Sequence, residues 1–443
     1  MKKVMVCGCG AQGSTICRKL DQEPCIEEVV CADYNFAAAE AVCRLMTKGT
    51  PKQVNAAHVD EIVAAAEGCE LIVNVMPLEF GVNMLHAAIE LGCCYQDLSA
   101  CENITEVMDV DEYDRWVEGI KCMYTTYGEK FAKNNTTAII GTGSAPGVMC
   151  VMARKAVNEL DECDTIAMMV YEGVEAKRFI PFWWSPDVAL ADMQEDAFAF
   201  ENGEQIRTKP FSRPIYRKWP EMNNEEVVLV EHAHDEPVYV GFNREKYFKG
   251  CKNAYFKYGG VGIEFAEPLA RAGLLKRDPV EVDGQMVNTH HAILNALPQP
   301  PRFAREIEEI IEEGLVSDTG AFVVEALGKK DGKEVRVESH LFAPGFVESY
   351  EKFGITGEQY LTGQGGFMFT KLFVNDFLEG QSGFISSAEL SEEANDQYLK
   401  YAAELDITVE RRIIEDDPYF KNQAPAKEYK PWWEMPTITK VEL

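Results

Sequence analysis

The sequence predicts an α/β protein: a Rossmann-type, doubly wound parallel sheet carrying an inserted α+β domain on a mainly antiparallel sheet. Three observations predict it. A glycine-rich turn, Gly8-Cys9-Gly10-Ala11-Gln12-Gly13, follows an apolar run at the start of the sequence. Short apolar runs then alternate with helical periodicity as far as Ile140. After Gly141 the alternation stops, and separate strand-like runs with turn signals between them take over.

The elements justify this reading in order. Lys3–Cys7, Glu28–Ala32, Leu71–Val75, Tyr95–Leu98 and Thr137–Ile140 have strand character. Gly13–Leu20, Ala37–Leu45, Val59–Ala66 and Gly81–Leu91 lie between them with helical spacing. Strands alternating with helices imply βαβ units and a parallel sheet covered on both faces. Further on, Thr165–Tyr171, Val227–Glu231 and Ala254–Tyr258 read as strands. Gly320–Leu327 and Glu334–Leu341 flank Lys329-Lys330-Asp331-Gly332, a hairpin signal in which the glycine supplies positive φ. The Pro-rich loop Leu297–Arg302 precedes a charged helix, Phe303–Glu313, and Phe367–Leu378 and Ser391–Leu405 are helical. The tail Glu428–Leu443, with Trp432 and Trp433, is expected to dock on its own domain or on a second subunit.

Composition narrows the function classes. A chain of 443 residues suggests two or three domains, and 46% hydrophobic residues can fill large cores. A net charge of −30 argues against nucleic acid and anionic membranes as partners. The apolar run after Lys2 and Lys3 is too short for a secretion signal and ends in glycines. Of 14 cysteines, 13 precede residue 164, and no two are spaced Cys-x-x-Cys. Reduced thiols in a cytoplasmic protein fit this pattern better than a disulfide framework.

The glycine turn points to a cofactor. In Gly-x-Gly-x-x-Gly the first glycine allows the tight turn, the second admits a pyrophosphate, and the third lets helix and sheet pack closely. Asp33 ends the second strand, where a carboxylate accepts hydrogen bonds from the adenosine ribose. No Arg lies in Cys31–Glu40 to offset a 2′-phosphate, so NAD is expected over NADP. Gly8, Gly10, Ala11, Gln12, Gly13 and Asp33 are the expected cofactor residues. Asn74, Val75, Met76, Pro77 and Asp97, at the carboxyl ends of later strands, are expected to wall the same crevice. Ser99 is expected on the substrate side or as a helix cap.

These residues are similar to those of the saccharopine dehydrogenase family. The resemblance runs through the Gly8–Gly13 unit, then Val73-Asn74-Val75-Met76-Pro77, Ala88–Gly92 and Tyr95-Gln96-Asp97-Leu98-Ser99. It continues in Gly141-Thr142-Gly143-Ser144-Ala145-Pro146-Gly147, Asn253–Gly260 and the helix around Gly365–Leu378. It implies a nucleotide domain over 1–145 completed by helices within 355–443, with a substrate and dimerisation domain over 146–354. It also implies hydride transfer between a nicotinamide cofactor and the carbon of an amine C–N bond, on a saccharopine-like secondary amine or imine. Ala145 stands where several relatives carry Asp, which tilts the resemblance towards the lysine-dehydrogenase-like branch. A dehydrogenase of lysine, of another simple amino acid or of a polyamine precursor is the alternative enzyme, and a silent NAD-binding sensor is the alternative of another class.

On the substrate side, His232 is the candidate base. It lies in Glu231-His232-Ala233-His234-Asp235-Glu236, a pattern that reads as a solvated turn more readily than as a zinc site, and no metal is expected. Arg213 and Arg244 are candidate partners for a substrate carboxylate, with Tyr127 and Lys130 behind them. Pro146 and Gly147 are expected to open a helix whose N–H groups face a substrate carboxylate or the cofactor. The expected partner is a small amino-acid-derived molecule, and an exposed edge of the middle sheet would suit a homodimer.

Overall fold

A computed structural model describes residues 1–301 and 304–415. The chain divides into two compact units, one formed by Met1–Lys155 with Gly357–Thr408. The other takes in Ala156–Thr356 and, among the described residues, Val409–Glu415.

The first unit is a parallel sheet of β1 (Lys2–Cys7), β2 (Ile26–Asp33), β3 (Gly49–Gln53), β4 (Leu71–Asn74), β5 (Cys94–Asp97) and β6 (Thr137–Ile140), with a seventh strand at Gly383–Ser386. Its order is β3-β2-β1-β4-β5-β6 followed by Gly383–Ser386, every pair parallel. The order reverses beside β1, which opens a crevice at the carboxyl ends of β1 and β4. Val4–Cys7, Leu71–Asn74 and Thr137–Ile140 are buried along their length, as strands covered on both faces are. The helices α1 (Ala11–Leu20), α2 (Phe36–Cys43), α3 (Val59–Ala65) and α4 (Gly81–Leu91) connect the strands. Asn35 caps α2 through the N–H of Ala37, and Gly92 ends α4 in the left-handed region. No helix among the described residues is long and apolar enough to cross a membrane.

A long helix, Gly357–Val374, belongs to this unit although it arrives late in the chain. Its glycines let it lie directly on α1. A Cβ on Gly363 would stand 2.8 Å from the Cβ of Thr15, and one on Gly366 would stand 3.0 Å from the Ile16 side chain. Gln96 on β5 fastens the same helix. Its Nε2 donates to the Gly366 carbonyl at 2.8 Å and to Thr142 Oγ1 at 3.1 Å, and its Oε1 accepts from Thr370 Oγ1 at 2.9 Å.

The second unit is built on a nine-stranded sheet. Glu162–Glu172 lies between Asn253–Gly260, which it pairs in parallel, and Gly320–Lys330, which it pairs antiparallel. Antiparallel pairing joins Ala197–Glu201 to Glu204–Thr208 and to Asn253–Gly260, Glu226–Glu231 to Ile215–Lys218 and to Asn253–Gly260, and Gly320–Lys330 to Lys333–Phe342. Lys330 pairs with Lys333, so the hairpin loop is Asp331-Gly332, both at positive φ (52° and 75°), the two-residue turn that matches strand twist. One face buries Ala167, Met169, Trp219, Leu229 and Val323. A second core joins Ile180, Trp183, Ile307, Ile310 and Phe346.

One expectation needs correction, and one strand has no counterpart in the sequence reading. The segment after 355 does not belong wholly with the nucleotide unit, because Thr408–Glu415 is a strand beside Lys333–Phe342 in the second unit's sheet. The edge strand Gly49–Gln53 carries Pro51 and is half exposed, so it has no apolar run to announce it. The tail Glu428–Leu443, with Trp432 and Trp433, lies outside the described residues.

Candidate functional site

The turn after β1 is shaped by crowding on one side and space on the other. Gly8 sits at φ 103°, and a Cβ there would meet the Val75 carbonyl oxygen at 2.7 Å. A Cβ on Gly13 would stand 1.7 Å from the Gly8 carbonyl oxygen, so α1 packs on the turn itself. Gly10 is the reverse: it is exposed, and its Cβ would meet nothing within 4 Å. Gly10 opens α1 without a side-chain cap, and the first turn has no acidic residue. An open cradle under uncapped helix N–H groups fits a pyrophosphate. Ala11 and Gln12 stand in that first turn, where their backbone would take part.

Asp33 clasps this turn. Its Oδ2 accepts the Cys9 N–H at 2.8 Å and its Oδ1 accepts the Asn35 N–H at 2.8 Å. Each oxygen keeps a lone pair, and the residue is partly exposed. The geometry fits a ribose acceptor. Tyr34 beside it is 65% exposed, leaving a ring surface next to that position.

Asn74 and Asp97, expected as cofactor ligands, face inward. They are 1% and 3% exposed. Asn74 Nδ2 donates to Asp97 Oδ2 at 2.8 Å and to the Tyr95 hydroxyl at 3.2 Å, while its Oδ1 accepts the Met76 N–H at 3.1 Å. Asp97 Oδ2 also accepts from the Tyr95 hydroxyl at 2.5 Å, and Oδ1 accepts the Ser99 N–H at 3.0 Å. Burial pushes the Asp97 carboxyl up, against the hydrogen bonds from Tyr95, Ser99 and Asn74 that favour its charge. These side chains are spent on holding two loops. Asn74 fixes the loop through Met76 and Asp97 fixes the loop through Ser99, so both shape the crevice from beneath. Val75 N–H is held by the Cys7 carbonyl at 2.9 Å, which keeps the Val75-Met76-Pro77 loop against the glycine turn. Ser99 is half-buried at the end of β5.

Pro146 and Gly147 are packing residues. Both are buried, and a Cβ on Gly147 would stand 2.7 Å from the Thr142 carbonyl carbon and 3.0 Å from the Phe369 ring. The Val148 N–H returns to the Gly143 carbonyl at 3.2 Å. Pro146 and Gly147 stand in the helical turn Ser144–Val148, which leads into the helix Met149–Asn158, and Pro146 has no N–H of its own to offer a ligand. Tyr127 and Lys130 lie in the same unit around Glu106: the Tyr127 hydroxyl donates to Glu106 at 3.1 Å and Lys130 pairs with it at 3.7 Å. His86 stands 3.1 Å from the Tyr127 hydroxyl.

The arginines expected to hold a carboxylate are engaged within the second unit. Arg213 donates to the buried Glu231 at 2.9 Å and also pairs with Glu201. Glu231 takes Lys257 Nζ at 2.5 Å as well, so one buried carboxylate joins the buried Lys257 and the exposed Arg213. Arg244 pairs with Glu245 at 2.7 Å and lies over the Phe200 ring.

His232 is in place but not solvated. The segment expected as a solvated turn is interior: Glu231, His232 and Glu236 are 1%, 1% and 0% exposed. His232 Nδ1 bonds the Ala233 carbonyl at 3.0 Å, and the ring stacks on Tyr258 at 4.7 Å between centroids. Burial, with His234 nearby, holds the His232 imidazole down at about 3. Burial works against protonation of His234 too, but Glu236 at 2.6 Å and the charges of Asp192 and Asp235 raise it to about 9. The sequence carried the signal for this cluster in its His-x-His pattern. It carried none for Asp192, Glu172 or Tyr258, which the fold brings in from other elements. Among the described residues no group of three or more His, Cys, Asp and Glu is placed to hold a metal ion.

Comparison with known proteins agrees with this geometry. Residues 4–139 match the family described as saccharopine dehydrogenase NADP binding domain. The chain is 30% identical over 293 residues to the carboxynorspermidine synthase of Vibrio alginolyticus and 26% identical over 292 residues to that of Vibrio cholerae. Each alignment covers 64% of this chain and 64% of the relative, so the chain spans just under two thirds of the curated relatives it matches. The fold is that of the apo saccharopine dehydrogenase (L-Glu forming) of Saccharomyces cerevisiae, with a TM-score of 0.65 over 94% of this chain and 100% of that one, at 14% identity. The glycine turn, its Asp33 clasp and the strand-end loops lie within residues 4–139, the stretch similar to the saccharopine dehydrogenase NADP binding domain.

Proposed function

We propose that the protein is a nicotinamide-dependent oxidoreductase that transfers hydride at the C–N bond of an amino-acid-derived secondary amine or imine. The observation that carries the reading is the Gly8–Gly13 turn, with its open position at Gly10 and its clasp at Asp33. The bound cofactor would supply the hydride. The chain's own part is to hold it: Gly10, Ala11 and Gln12 at the pyrophosphate, Asp33 at the adenosine ribose, and the Val75–Pro77 loop as a wall. Asn74 and Asp97 position that wall without touching the ligand.

NAD is the preferred cofactor. The family description names NADP. In this chain a 2′-phosphate would meet the Asp33 carboxylate, and Cys31–Glu40 contains no Lys or Arg to take it. The names of the curated relatives favour an amine of the carboxynorspermidine kind over saccharopine itself. The engagement of Arg213 with the buried Glu231 points the same way, since it occupies one candidate partner for a substrate rich in carboxylates.

Titration with NADH and NADPH, followed by nicotinamide absorbance during turnover of a panel of secondary amines and of aldehyde–amine mixtures, tests the reading. NADH binding with turnover of such an amine is the expected result. Absence of binding by either nucleotide would sink it, and NADH binding without turnover of any amine would favour a sensor.

A further inference from the structure

The second unit contains a buried cluster that nucleotide binding does not use. It lies where the strand Glu226–Glu231 runs through His232-Ala233-His234-Asp235 into the helix Glu236–Tyr247. The strand Asn253–Gly260 supplies Phe256 and Tyr258 as ring walls, with Phe256 stacked on His234 at 4.1 Å and Tyr258 on His232 at 4.7 Å. Asp192 comes from the helix Pro186–Asp192, and Glu172 from the end of Glu162–Glu172.

The hydrogen bonding of this cluster is lopsided. A carbonyl oxygen can only accept, so Nδ1 of His232 donates to Ala233 and Nε2 carries the lone pair. Nε2 has no hydrogen-bond partner, on a residue that is 1% exposed. Glu236 repeats the pattern: Oε2 is taken by His234, while Oε1, on a residue 0% exposed, has no partner. Both orphans are acceptors. Buried acceptors are normally matched with donors, so what completes this site must bring N–H or O–H groups.

Charge narrows the choice. His234 faces Glu236, Asp192 and Asp235, and Asp192 faces Glu195 and Arg277 as well. Acids outnumber cations in this set. Burial pushes the carboxyls of Asp192 and Glu172 up, Glu172 against hydrogen bonds from Tyr258 and Trp184. A bound cation would relieve both, and aromatic walls suit one. A carboxylate would meet the two orphan acceptors and four acids against the two cations His234 and Arg277.

We propose that this cluster is a subsite for the primary alkylammonium group of the substrate, with His232 and Glu236 as acceptors and Asp192 as counter-charge. The subsite deepens the amine reading above and rests on it for the reaction, but its occupancy is measurable without turnover.

Calorimetric titration of the full chain, with NADH present, by putrescine, butylamine and glutarate tests the subsite. The two amines bind and glutarate does not. Glu236→Gln and Asp192→Asn each raise the amine Kd at least tenfold while leaving the NADH Kd unchanged. A variant that does not fold is replaced by a direct reading on the unaltered protein: in a histidine-labelled sample, the Nε2 resonance of His232 moves on adding putrescine and stays still on adding glutarate. NADH binding without amine binding, amine binding unaffected by both substitutions, or a His232 resonance that does not respond would each overturn the subsite and leave the oxidoreductase reading standing. Failure of NADH itself to bind would count against that earlier reading, and amine titration of the nucleotide-free protein would still decide the subsite.

Discussion

Asp33 Oδ2 accepts the N–H of Cys9 at 2.8 Å, so the acid that ends β2 is also the clasp of the glycine turn. A residue read for its ligand thus has a second task. Asp33→Ala removes both and is expected to weaken NADH binding at least tenfold, about 1.4 kcal/mol. Asp33→Asn keeps an acceptor for Cys9 and removes only the charge. Its NADH-to-NADPH affinity ratio is expected to fall at least fivefold, measured by fluorescence titration. An unchanged ratio would show that Asp33 does not face the adenosine ribose.

Gly10 and Gly13 separate cofactor binding from folding. A Cβ on Gly10 meets nothing within 4 Å, whereas one on Gly13 stands 1.7 Å from a carbonyl oxygen. Gly10→Val is expected to hold its melting temperature within about 2 °C and to lose NADH binding. Gly13→Ala is expected to lose about 1–3 kcal/mol in denaturant unfolding, as overpacked cores do. Equal effects of the two on melting would contradict the open cradle.

Gln96 bonds Gly366, Thr142 and Thr370 and is fully buried. Gln96→Leu takes one hydrogen bond from each of those groups, while Thr142 keeps the Asp97 carbonyl and Thr370 keeps the Gly366 carbonyl. The expected cost is about 0.5–1.5 kcal/mol for each bond lost. Hydrogen exchange of the helix Gly357–Val374 checks it: protection there should fall while protection in the second unit is kept.

His340 gives the second unit a pH dependence. Burial opposes its protonation, but hydrogen bonds to Glu221 at 2.6 Å and Glu338 at 3.5 Å raise it to about 9. Burial likewise opposes ionisation of Glu338, yet His340, Arg336 and Arg412 bring it down to about 2. The raised histidine stabilises fully below its ordinary value of 6.5, and that contribution fades as pH climbs towards 9. The lowered glutamate stabilises above its ordinary 4.5 and fades as pH falls towards 2. Melting of the second unit should therefore be highest between these windows. His340→Gln should flatten the alkaline limb by about 2–4 °C. A limb of unchanged slope would mean that another group carries it.

Much of the nucleotide unit was legible because its signals are local. β1, β4, β5, β6 and the helices α1 and α4 follow from apolar runs, a glycine turn and a C-terminal glycine. The helix Gly357–Val374 was readable only from Phe367 onward, since Gly363, Gly365 and Gly366 look like breakers until α1 is seen lying against them. Side-chain roles were less legible. Asn74 and Asp97 stand at the right strand ends for ligands, and only their mutual hydrogen bond shows that they point inward. Arg213 looks like a loop charge until Glu231 and Glu201 are placed beside it. Such pairings join residues from different elements, and no spacing along the chain encodes them.

The late helix also sets an order of assembly. Until Gly357–Val374 has left the ribosome, α1 lacks the helix that lies on it and β6 lacks the neighbour it finds in Gly383–Ser386. The whole of Ala156–Thr356 is synthesised in between. The cofactor-binding half is thus first to be translated but cannot be first to mature, and during that interval its growing edge is the part of the nascent chain that most needs shielding.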